Sequence, residues 1–374
     1  MSQRNSMAWI TGGRGALVVK IGSSLLIDSG DQLRRDWMST LAERLSARLG
    51  PVVLVSSGAI ALGRSALGLD SRPRALAQAQ AAAAVGQIHL AEAWSQCWQS
   101  QGRVAAQILL TLNDLEQRRQ YLNARATLEA LIEHGIVPVV NENDTVATEE
   151  IRFGDNDRLA ARVAQLLSAD GLLLLSDVDG LYDRDPGQHE QARHIPRVPA
   201  ISAEIEAMAG STGSRGVGTG GMASKVAAAR IATAAGLPVV LASGLVDDPI
   251  ETLIRGARYT LFDASAQPLA QRKQWLSGLQ RVAGRLEIDV GAARALSSGS
   301  SLLAVGLAAV DGDFDRGDLV SIETSTAPIG RGLCAYSSDQ TRQIIGCRSE
   351  QVIDILGGSS RGAVIHRDDI VINR

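Results

Sequence analysis

The pattern of apolar and polar residues changes once along the chain, near residue 265. Before that point, short apolar runs alternate with longer stretches of helical periodicity, which is typical of β-α-β units and a parallel sheet. The predicted strands are residues 16–20, 52–56, 104–110, 136–140, 171–176 and 238–242. The predicted helices are residues 33–49, 75–99, 121–134, 158–167 and 223–235. Several strands are apolar throughout, which indicates a sheet covered by helices on both faces.

From Gly284 onward the pattern is one of short β-prone segments separated by turns that contain glycine. The segments are GRLEIDV, SLLAVGLAAV, GDLVSI and AVIHRDDIVI. Tight turns such as Asp311-Gly312 between them predict a small antiparallel barrel. We therefore predict two domains, residues 1–265 and 283–374, joined by a connector of residues 266–282.

Composition and length narrow the class of protein. A chain of 374 residues can bury a large core and still form a second domain. Its three cysteines are widely spaced and form no C-x-x-C pair, which argues against a disulfide framework or structural zinc. The first residues lack the apolar core of a signal peptide, and no apolar run approaches the ~20 residues of a membrane span. We expect a cytoplasmic protein that does not enter the membrane.

Lysine is rare in this chain, with 3 lysines against 34 arginines. Lys20 ends the first apolar run, and Lys225 follows a glycine-rich stretch at the predicted start of a helix. A lysine ammonium is a compact point charge that suits a moving phosphoryl group better than a planar guanidinium does. Lys20 and Lys225 are therefore predicted to clamp phosphate. The alternative is that both are ordinary charges on a solvated face.

Small and polar residues follow the second predicted strand. Ser57 and Gly58 stand before a helical pattern, where glycine allows close backbone approach and the helix start offers N–H groups to an anion. This arrangement favours binding of a carboxylate or another oxyanion. Simple helix capping is an alternative, and so is a nucleophilic serine, although G-x-S-x-G is absent.

Amides and carboxylates follow the fourth predicted strand in two groups, residues 141–144 (NEND) and residues 153–158 (FGDNDR). Carboxylates there would meet the ammonium of an amino acid, and amides or helix-start N–H groups would meet its carboxylates. An Asx-rich turn with a helix cap is the structural alternative. A carboxylate cage for a metal is a further alternative, but no EF-hand spacing is present.

Two further segments suggest nucleotide binding. The strand LLLLS leads into Ser176 and Asp177, where a nucleotide or its magnesium could be met, although Asp-Gly turns of this kind are common. Residues 216–221 match G-x-G-x-x-G but do not directly follow a predicted strand, so the dinucleotide fingerprint fails. The Walker pattern fails as well. A glycine loop with exposed N–H groups before Lys225 remains, and it is predicted to bind phosphate; a plain glycine loop is the alternative.

Taken in order, these motifs resemble the glutamate 5-kinases of the amino-acid kinase superfamily. The segments that carry the resemblance include VVKIGSSLL, VSSGAIALG, VPVVNENDTVA, FGDNDRLAA, LLLLSDVDGLYDRDP and GTGGMASK. The C-terminal GSSLLAVGLAAVDGDFDRGDLVSI resembles the PUA domain that many bacterial members carry. The resemblance covers the chain from about Ala16 to Arg374. It implies an amino-acid-kinase-type α/β fold, a mainly parallel sheet between helices, with a small C-terminal β-barrel-like PUA domain.

The resemblance also implies an activity, the phosphorylation by ATP of the side-chain carboxylate of L-glutamate in proline biosynthesis. Catalysis would rest on Lys20, Lys225 and Asp157, with Asp157 orienting the two lysines. ATP would be bound by Lys20, Ser176, Asp177, Thr219, Gly220, Gly221, Met222, Ala223, Ser224 and Lys225. Glutamate would be bound by Ser57, Gly58, Asn141, Asp144, Asp155 and Asn156. Mg²⁺ is the expected metal with ATP, L-proline the expected feedback inhibitor, and a homo-oligomer the expected assembly.

Two alternatives remain at this point. Another kinase of the superfamily could act on acetylglutamate, aspartate, carbamate or a nucleotide such as UMP. A different class is an RNA-binding protein, because PUA domains commonly bind RNA. Residues 284–374 contain 9 arginines, 12 acidic residues and no lysine, a net charge of −3, whereas a binder of the phosphate backbone should carry a basic excess.

Overall fold

The structure is a computed structural model that describes residues 7–28, 30, 32–69, 75–146, 156–211, 221–265, 282–356 and 363–372. The chain divides into two compact units. The first comprises Met1–Glu116 and Ala124–Pro268, and the second comprises Gln117–Asn123 and Leu269–Arg374. Most of the predicted connector, residues 266–281, lies outside the described residues, so the predicted domain boundaries stay a prediction.

The first unit is built around an eight-stranded sheet. Its strands and a small hairpin are β1 (Leu17–Ile21), β2 (Val52–Ser56), β3 (Ala105–Leu110), β4 (Val137–Glu142), β5 (Gly171–Ser176), β6 (Leu181–Tyr182), β7 (His194–Ile195), β8 (Arg197–Val198), β9 (Val239–Ser243) and β10 (Tyr259–Phe262). The sheet order is β3-β4-β2-β1-β5-β9-β10-β8, and all its neighbours are parallel except β9 and β10. All six predicted strands are confirmed, with ends that move by at most two residues.

Helices cover the sheet. They are α1 (Ala8–Gly12), α2 (Ser23–Leu26), α3 (Arg35–Ser46), α4 (Ala59–Ala66), α5 (Leu76–Gln99), α6 (Leu112–Glu116), α7 (Arg118–Glu133), α8 (Asn156–Leu166), α9 (Ala203–Ser211), α10 (Met222–Ala234) and α11 (Pro249–Ile254). The five predicted helices are confirmed with ends that move by up to three residues. In the described part of the chain, no helix is both long and apolar enough to span a bilayer.

The core lies between the sheet and these helices. Every residue of β1, β2, β4 and β5 is buried, as the uninterrupted apolar runs predicted. From α5, Trp94 and Trp98 pack into the same cluster, and from α3, Trp37 and Met38 do so. Strands buried on both faces hold their carboxyl ends rigidly at one edge of the sheet, which makes that edge a firm platform for a site.

Two glycines bring α4 and α5 into close contact. A Cβ atom on Gly63 would collide with the carbonyl oxygen of Ala82, and a Cβ on Gly86 would collide with that of Ala59. Only glycine therefore permits this approach of the two helices. The contact sets the distance between the two helices and places the middle of α5 beside α4.

A buried arginine holds residues 9–15 against the opposite edge of the sheet. Arg48, directly after α3, forms an ion pair with Asp170 at 2.8 Å. Its guanidinium also donates to backbone carbonyls, those of Trp9, Ile10, Gly15 and Pro51. Sequence patterns did not predict α1, because a five-residue helix is too short to show periodicity.

The second unit contains a five-stranded sheet. Its strands and helices, with a second small ladder, are β11 (Gly284–Ile288), α12 (Val290–Ser297), β12 (Leu302–Leu303), β13 (Leu307–Gly312), β14 (Leu319–Glu323), β15 (Pro328–Leu333), α13 (Ser338–Gln343), α14 (Ser349–Leu356), β16 (Ala363–Ile365) and β17 (Ile370–Ile372). The sheet order is β13-β11-β14-β15-β17, while β12 pairs with β16.

Two expectations for this unit were wrong in detail. A wholly antiparallel arrangement was expected, but β11 and β14 run parallel. The segment SLLAVGLAAV was read as one β-prone piece, yet a 3-10 helix at Ala304–Gly306 separates β12 from β13. The residues of this 3-10 helix are apolar or glycine, so the apolar pattern does not show that the strand is interrupted there. The three α-helices described between residues 284 and 356 were not predicted, because each spans eight residues or fewer.

Replacing Arg48 should destabilise the first unit. Arg48→Met removes the donor of one buried and three part-buried carbonyls and leaves Asp170 without its ion-pair partner, so we expect the free energy of unfolding to fall by about 3 kcal/mol. Denaturant unfolding followed by tryptophan fluorescence measures this change, since four of the five tryptophans belong to the first unit: Trp9, Trp37, Trp94 and Trp98.

Arg44→Met is the matched control, because Arg44 lies on α3 and forms an exposed ion pair with Asp248. Exposed pairs contribute little to stability, so its unfolding midpoint should hardly move. Equal midpoints for the two variants would contradict the structural role of Arg48.

Candidate active site

Polar side chains gather where parallel strands of the first unit end. Lys20 is the fourth residue of β1 and stands in register with Val55 of β2 and Leu174 of β5. Ser57 follows β2, Asn141 lies near the end of β4, and Ser176 ends β5. Because these strands run in the same direction, their carboxyl ends meet at one edge of the sheet, as predicted.

Asp157 is the centre of the charged part of the site. It is completely buried, and its two carboxylate oxygens each face a lysine. The Lys20 Nζ lies 2.5 Å from Oδ1, and the Lys225 Nζ lies 3.4 Å from Oδ2. Lys20 and Lys225 are themselves only 5% and 4% exposed, so the three charges form one buried unit. The alternative reading of both lysines as solvated surface charges was wrong.

The pKa of each charged group reflects burial and its neighbours. Burial alone would raise the pKa of the Asp157 carboxyl, but the two ammonium groups prevail and hold it below its ordinary 3.8. Burial lowers the pKa of the Lys225 ammonium; Asp157 opposes this effect and the positive charge of Lys20 adds to it. Asp157 thus bridges two buried cations, a concentration of positive charge that suits the binding of a negatively charged group.

Two helix starts bring these charges together. Asp157 is the second residue of α8, and Lys225 is the fourth residue of α10, which packs against α8. An acidic residue suits the first turn of a helix, but a lysine there is opposed by the helix dipole. Local helix preference therefore does not explain a lysine in the first turn of α10. Binding of an anion at the start of this helix would explain it.

Amide groups form a second, uncharged part of the site. Asn156 Nδ2 donates to Ser57 Oγ and to Asn141 Oδ1, both at 3.0 Å. The backbone N–H of Glu142 donates to Asn141 Oδ1 at 2.9 Å and to Asn156 Oδ1 at 3.2 Å. Asn141 Nδ2 donates in turn to Gln87 Oε1 at 2.5 Å. The network joins the ends of β2 and β4 to the start of α8.

Asp144 and Gly58 border this network in the sequence. Asp144 is buried in a 3-10 helix at Asp144–Val146, and burial raises the pKa of its carboxyl to about 6. Gly58 stands at the cap position of α4 with φ of 107°, a left-handed conformation that glycine adopts without strain. A carboxylate that has lost much of its hydration gains the most from a cationic partner.

The side of the site near β5 has a different character. Ser176 is buried, and its hydroxyl donates to Asp177 Oδ1 at 2.9 Å, while Asp177 itself is exposed. Asp177 is near enough to Lys225 for its charge to raise the pKa of that ammonium. Gly221, Met222, Ala223 and Ser224 form the start of α10 leading to Lys225.

Side chains from other strands hold the loop after β5. Tyr182 Oη donates to Asp179 Oδ1 at 2.8 Å, and Arg258 donates to both Tyr182 Oη and Asp179 Oδ2. Thr260 Oγ1 accepts from the backbone N–H of Leu181 at 2.8 Å. These contacts keep the loop that begins at Asp177 in one position.

Gln87 is the member of the site that sequence reasoning missed. A signal was present, because the buried positions of α5 recur at helical spacing and Gln87 falls among them, between Gly86 and Leu90. A polar residue on the buried stripe of an alanine-rich helix indicates an internal hydrogen-bond partner. Among the predicted site residues, Asp155, Thr219 and Gly220 lie outside the described residues.

Comparison with known proteins gives one family. The Amino acid kinase family matches residues 15–243, and the PUA domain matches residues 284–356. A glutamate 5-kinase of Rhodopseudomonas palustris (strain BisB5) is 52% identical over 361 residues, 95% of this chain and 96% of that protein. Another, of Paramagnetospirillum magneticum, is 52% identical over 95% of this chain and 97% of its own length. The chain belongs to the glutamate 5-kinase family.

Membership of the glutamate 5-kinase family confirms the resemblance found in the motifs. A glutamate 5-kinase of Brucella ovis, 48% identical over 95% of both chains, extends the match to a further genus. The match to the PUA domain begins at residue 284, the first residue of β11. The two matches leave residues 244–283 unassigned, so the boundary expected near residue 265 stays a prediction.

Removing the charge of Asp157 should destabilise the protein at neutral pH. Asp157→Asn leaves two buried ammonium groups without their counter-charge, and we expect the free energy of unfolding to fall by about 3–5 kcal/mol. The deficit should narrow as the pH rises toward about 9, because the pKa of Lys225, already lowered, falls further and its native state releases a proton that the unfolded state keeps. Denaturant unfolding at both pH values measures this.

Asp177→Asn provides the control, since it removes an exposed carboxylate from the same edge of the sheet. Its stability should stay close to that of the wild type at both pH values. A deficit of Asp157→Asn that does not depend on pH would show that the two lysines are not the cause.

Proposed function

We propose that this chain transfers the γ-phosphoryl group of ATP to the side-chain carboxylate of L-glutamate, giving L-glutamyl 5-phosphate, the first step of proline biosynthesis. The observation that carries the proposal is the pair of buried lysines held by Asp157 beside a network of amides. The relatives that match nearly the whole chain are glutamate 5-kinases. The charged half of the site would suit the phosphoryl donor, and the amide half would suit the amino acid that accepts the phosphoryl group.

The proposed reaction does not require the protein to remove a proton from the acceptor. A glutamate side chain is ionised at pH 7 and is itself the nucleophile, so no strong general base is needed. Transfer of a phosphoryl group depends on positioning and on neutralising charge around its equatorial oxygens. Lys20 and Lys225 would supply that charge in a site that excludes water, where it acts most strongly. Asp157 would keep both ammonium groups in place.

The amino acid would bind among the amides and Asp144. The Asp144 carboxylate would accept the substrate ammonium, and Asn141, Asn156 and Ser57 would face its carboxylates. Gly58 would allow the start of α4 to approach the substrate closely. Asp155, outside the described residues, is proposed for the same group from its place in the motif.

ATP would occupy the side near β5 and α10. Ser176, Asp177 and the start of α10 would border it, together with Thr219 and Gly220 of the glycine loop. Kinases commonly hold Mg²⁺ by one or two carboxylates and the substrate phosphates. The exposed Asp177 beside Lys225 fits this donor set, and no cluster of three or more metal-binding side chains occurs among the described residues. When bound, Mg²⁺ would neutralise phosphate charge.

Three further properties belong to the proposal. L-Proline would inhibit by occupying the glutamate site, because it shares the ammonium and carboxylate groups that this site would bind. A homo-oligomer is proposed on the family resemblance alone. RNA binding by the PUA domain is not favoured, because residues 284–374 carry a net charge of −3.

A hydroxylamine trap tests the activity directly. Purified protein with ATP, Mg²⁺ and glutamate should form an acyl phosphate that hydroxylamine converts to the hydroxamate, in proportion to the ADP released. Aspartate, acetylglutamate and UMP serve as alternative acceptors in parallel reactions. Turnover with one of these but not with glutamate would contradict the proposal.

Glutamate binding should weaken in acid. The pKa of Asp144 is about 6, so its carboxylate is present above that pH and is lost below it. We expect the KM for glutamate to rise about tenfold for each pH unit below about 6, while the KM for ATP changes little. Steady-state kinetics between about pH 5 and pH 8 measure both KM values.

Asp144→Asn is the matched variant for this measurement, because an amide cannot titrate in the same range. Its KM for glutamate should be raised at all pH values and should lose the step near pH 6. A step that persists in Asp144→Asn would assign the titration to another group.

A further inference from the structure

Gln87 is a polar side chain in an apolar setting that the proposed chemistry does not use. It lies on α5 with 8% of its surface exposed, among buried alanines and Leu90. Burying an amide in such surroundings is unfavourable unless it forms hydrogen bonds. The acceptor role of Gln87 toward Asn141, at 2.5 Å, supplies that compensation and points to the site.

The backbone fixes where Gln87 stands. Its neighbour Gly86 lies against the carbonyl of Ala59 in the first turn of α4, so closely that no Cβ atom would fit. Ala59 itself follows Gly58, a residue proposed to border the substrate. The backbone of α5 at Gln87 is therefore held in place beside the amide network. A shift of the helix cannot move the Gln87 side chain away from that network.

The direction of every hydrogen bond in the network follows from one donor. The backbone N–H of Glu142 can only donate, so the side-chain oxygens of Asn141 and Asn156 must both face it. Their NH₂ groups are thereby turned outward, that of Asn156 to Ser57 and to Asn141. The NH₂ of Asn141, which is 1% exposed, requires an acceptor, and Gln87 Oε1 provides it.

The far end of the network is a hydroxyl with a defined role. Ser57 Oγ accepts from Asn156 Nδ2, so its own proton must point elsewhere. Among the described residues, the Ser57 hydroxyl donates to no other group. A hydroxyl has a single proton to donate, and that of Ser57 is available to a ligand bound beside it. A carboxylate oxygen is the acceptor that suits it.

We infer that Gln87 is a positioning residue for the acceptor substrate. By holding the NH₂ group of Asn141, it keeps Asn141 and Asn156 in the orientation that presents the Ser57 proton to a substrate carboxylate. This inference rests on the proposed function of the site. Gln87 itself does not touch the substrate, and the lysines that serve phosphoryl transfer lie in the other half of the site.

Gln87→Leu tests the inference, because leucine fills a similar volume and offers no acceptor. A buried NH₂ without a partner rotates away or stays unpaired, and we expect the KM for glutamate to rise roughly 10- to 100-fold. The kcat should stay within about threefold and the KM for ATP within about twofold, since the lysines and α10 are unaffected. Gln87→Met, with an unbranched side chain, repeats the test should the leucine variant not fold.

A double-mutant cycle with Asn141→Ala separates positioning from a general loss of structure. Once Asn141 is truncated, Gln87 has nothing to hold, so adding Gln87→Leu should change the KM for glutamate by less than about twofold. Gln99→Leu, an exposed position on the same helix, should leave all constants unchanged. Multiplicative effects in the cycle, or an unchanged KM in Gln87→Leu, would overturn the inference, whereas wild-type protein inactive with glutamate would overturn the proposed function instead.

Discussion

The buried ion pairs of Asp157 with Lys20 and Lys225 are the constraint around which the first unit is arranged. Three charges without access to water are tolerated only when each has a close partner, so β1, α8 and α10 must meet at fixed distances. The carboxylate of Asp157 holds the two ammonium groups close together, where the phosphates of ATP would be attracted to them.

The amide half of the site depends on packing rather than on charge. Glycines at positions 63 and 86 let α5 approach α4, and this approach brings Gln87 beside the ends of β2 and β4. Amides can distinguish a carboxylate from other groups by the direction of their donors while adding no net charge.

Much of this arrangement could be predicted from the sequence because parallel strands end at one edge. Residues 57, 141 and 176 follow separate apolar runs, and a parallel sheet brings such positions together whatever their distance along the chain. The pairing of Asp157 with both lysines was expected only from the family resemblance, since no local pattern links a residue to one 68 positions away. The role of Gln87 depends on helix packing. Periodicity predicts that Gln87 is buried, but it does not identify Asn141 as the hydrogen-bond partner.

The second unit was harder to predict for a related physical reason. Its strands are short and partly exposed, and its turns follow closely on one another, so each segment carries little periodic signal. The parallel pairing of β11 with β14 is set by contacts distant along the chain, which local turn signals do not report. In the first unit, by contrast, strands buried on both faces are apolar throughout. A polar residue at the end of such a strand stands out against the apolar residues before it. The position of the site can therefore be predicted from the points where the apolar runs end.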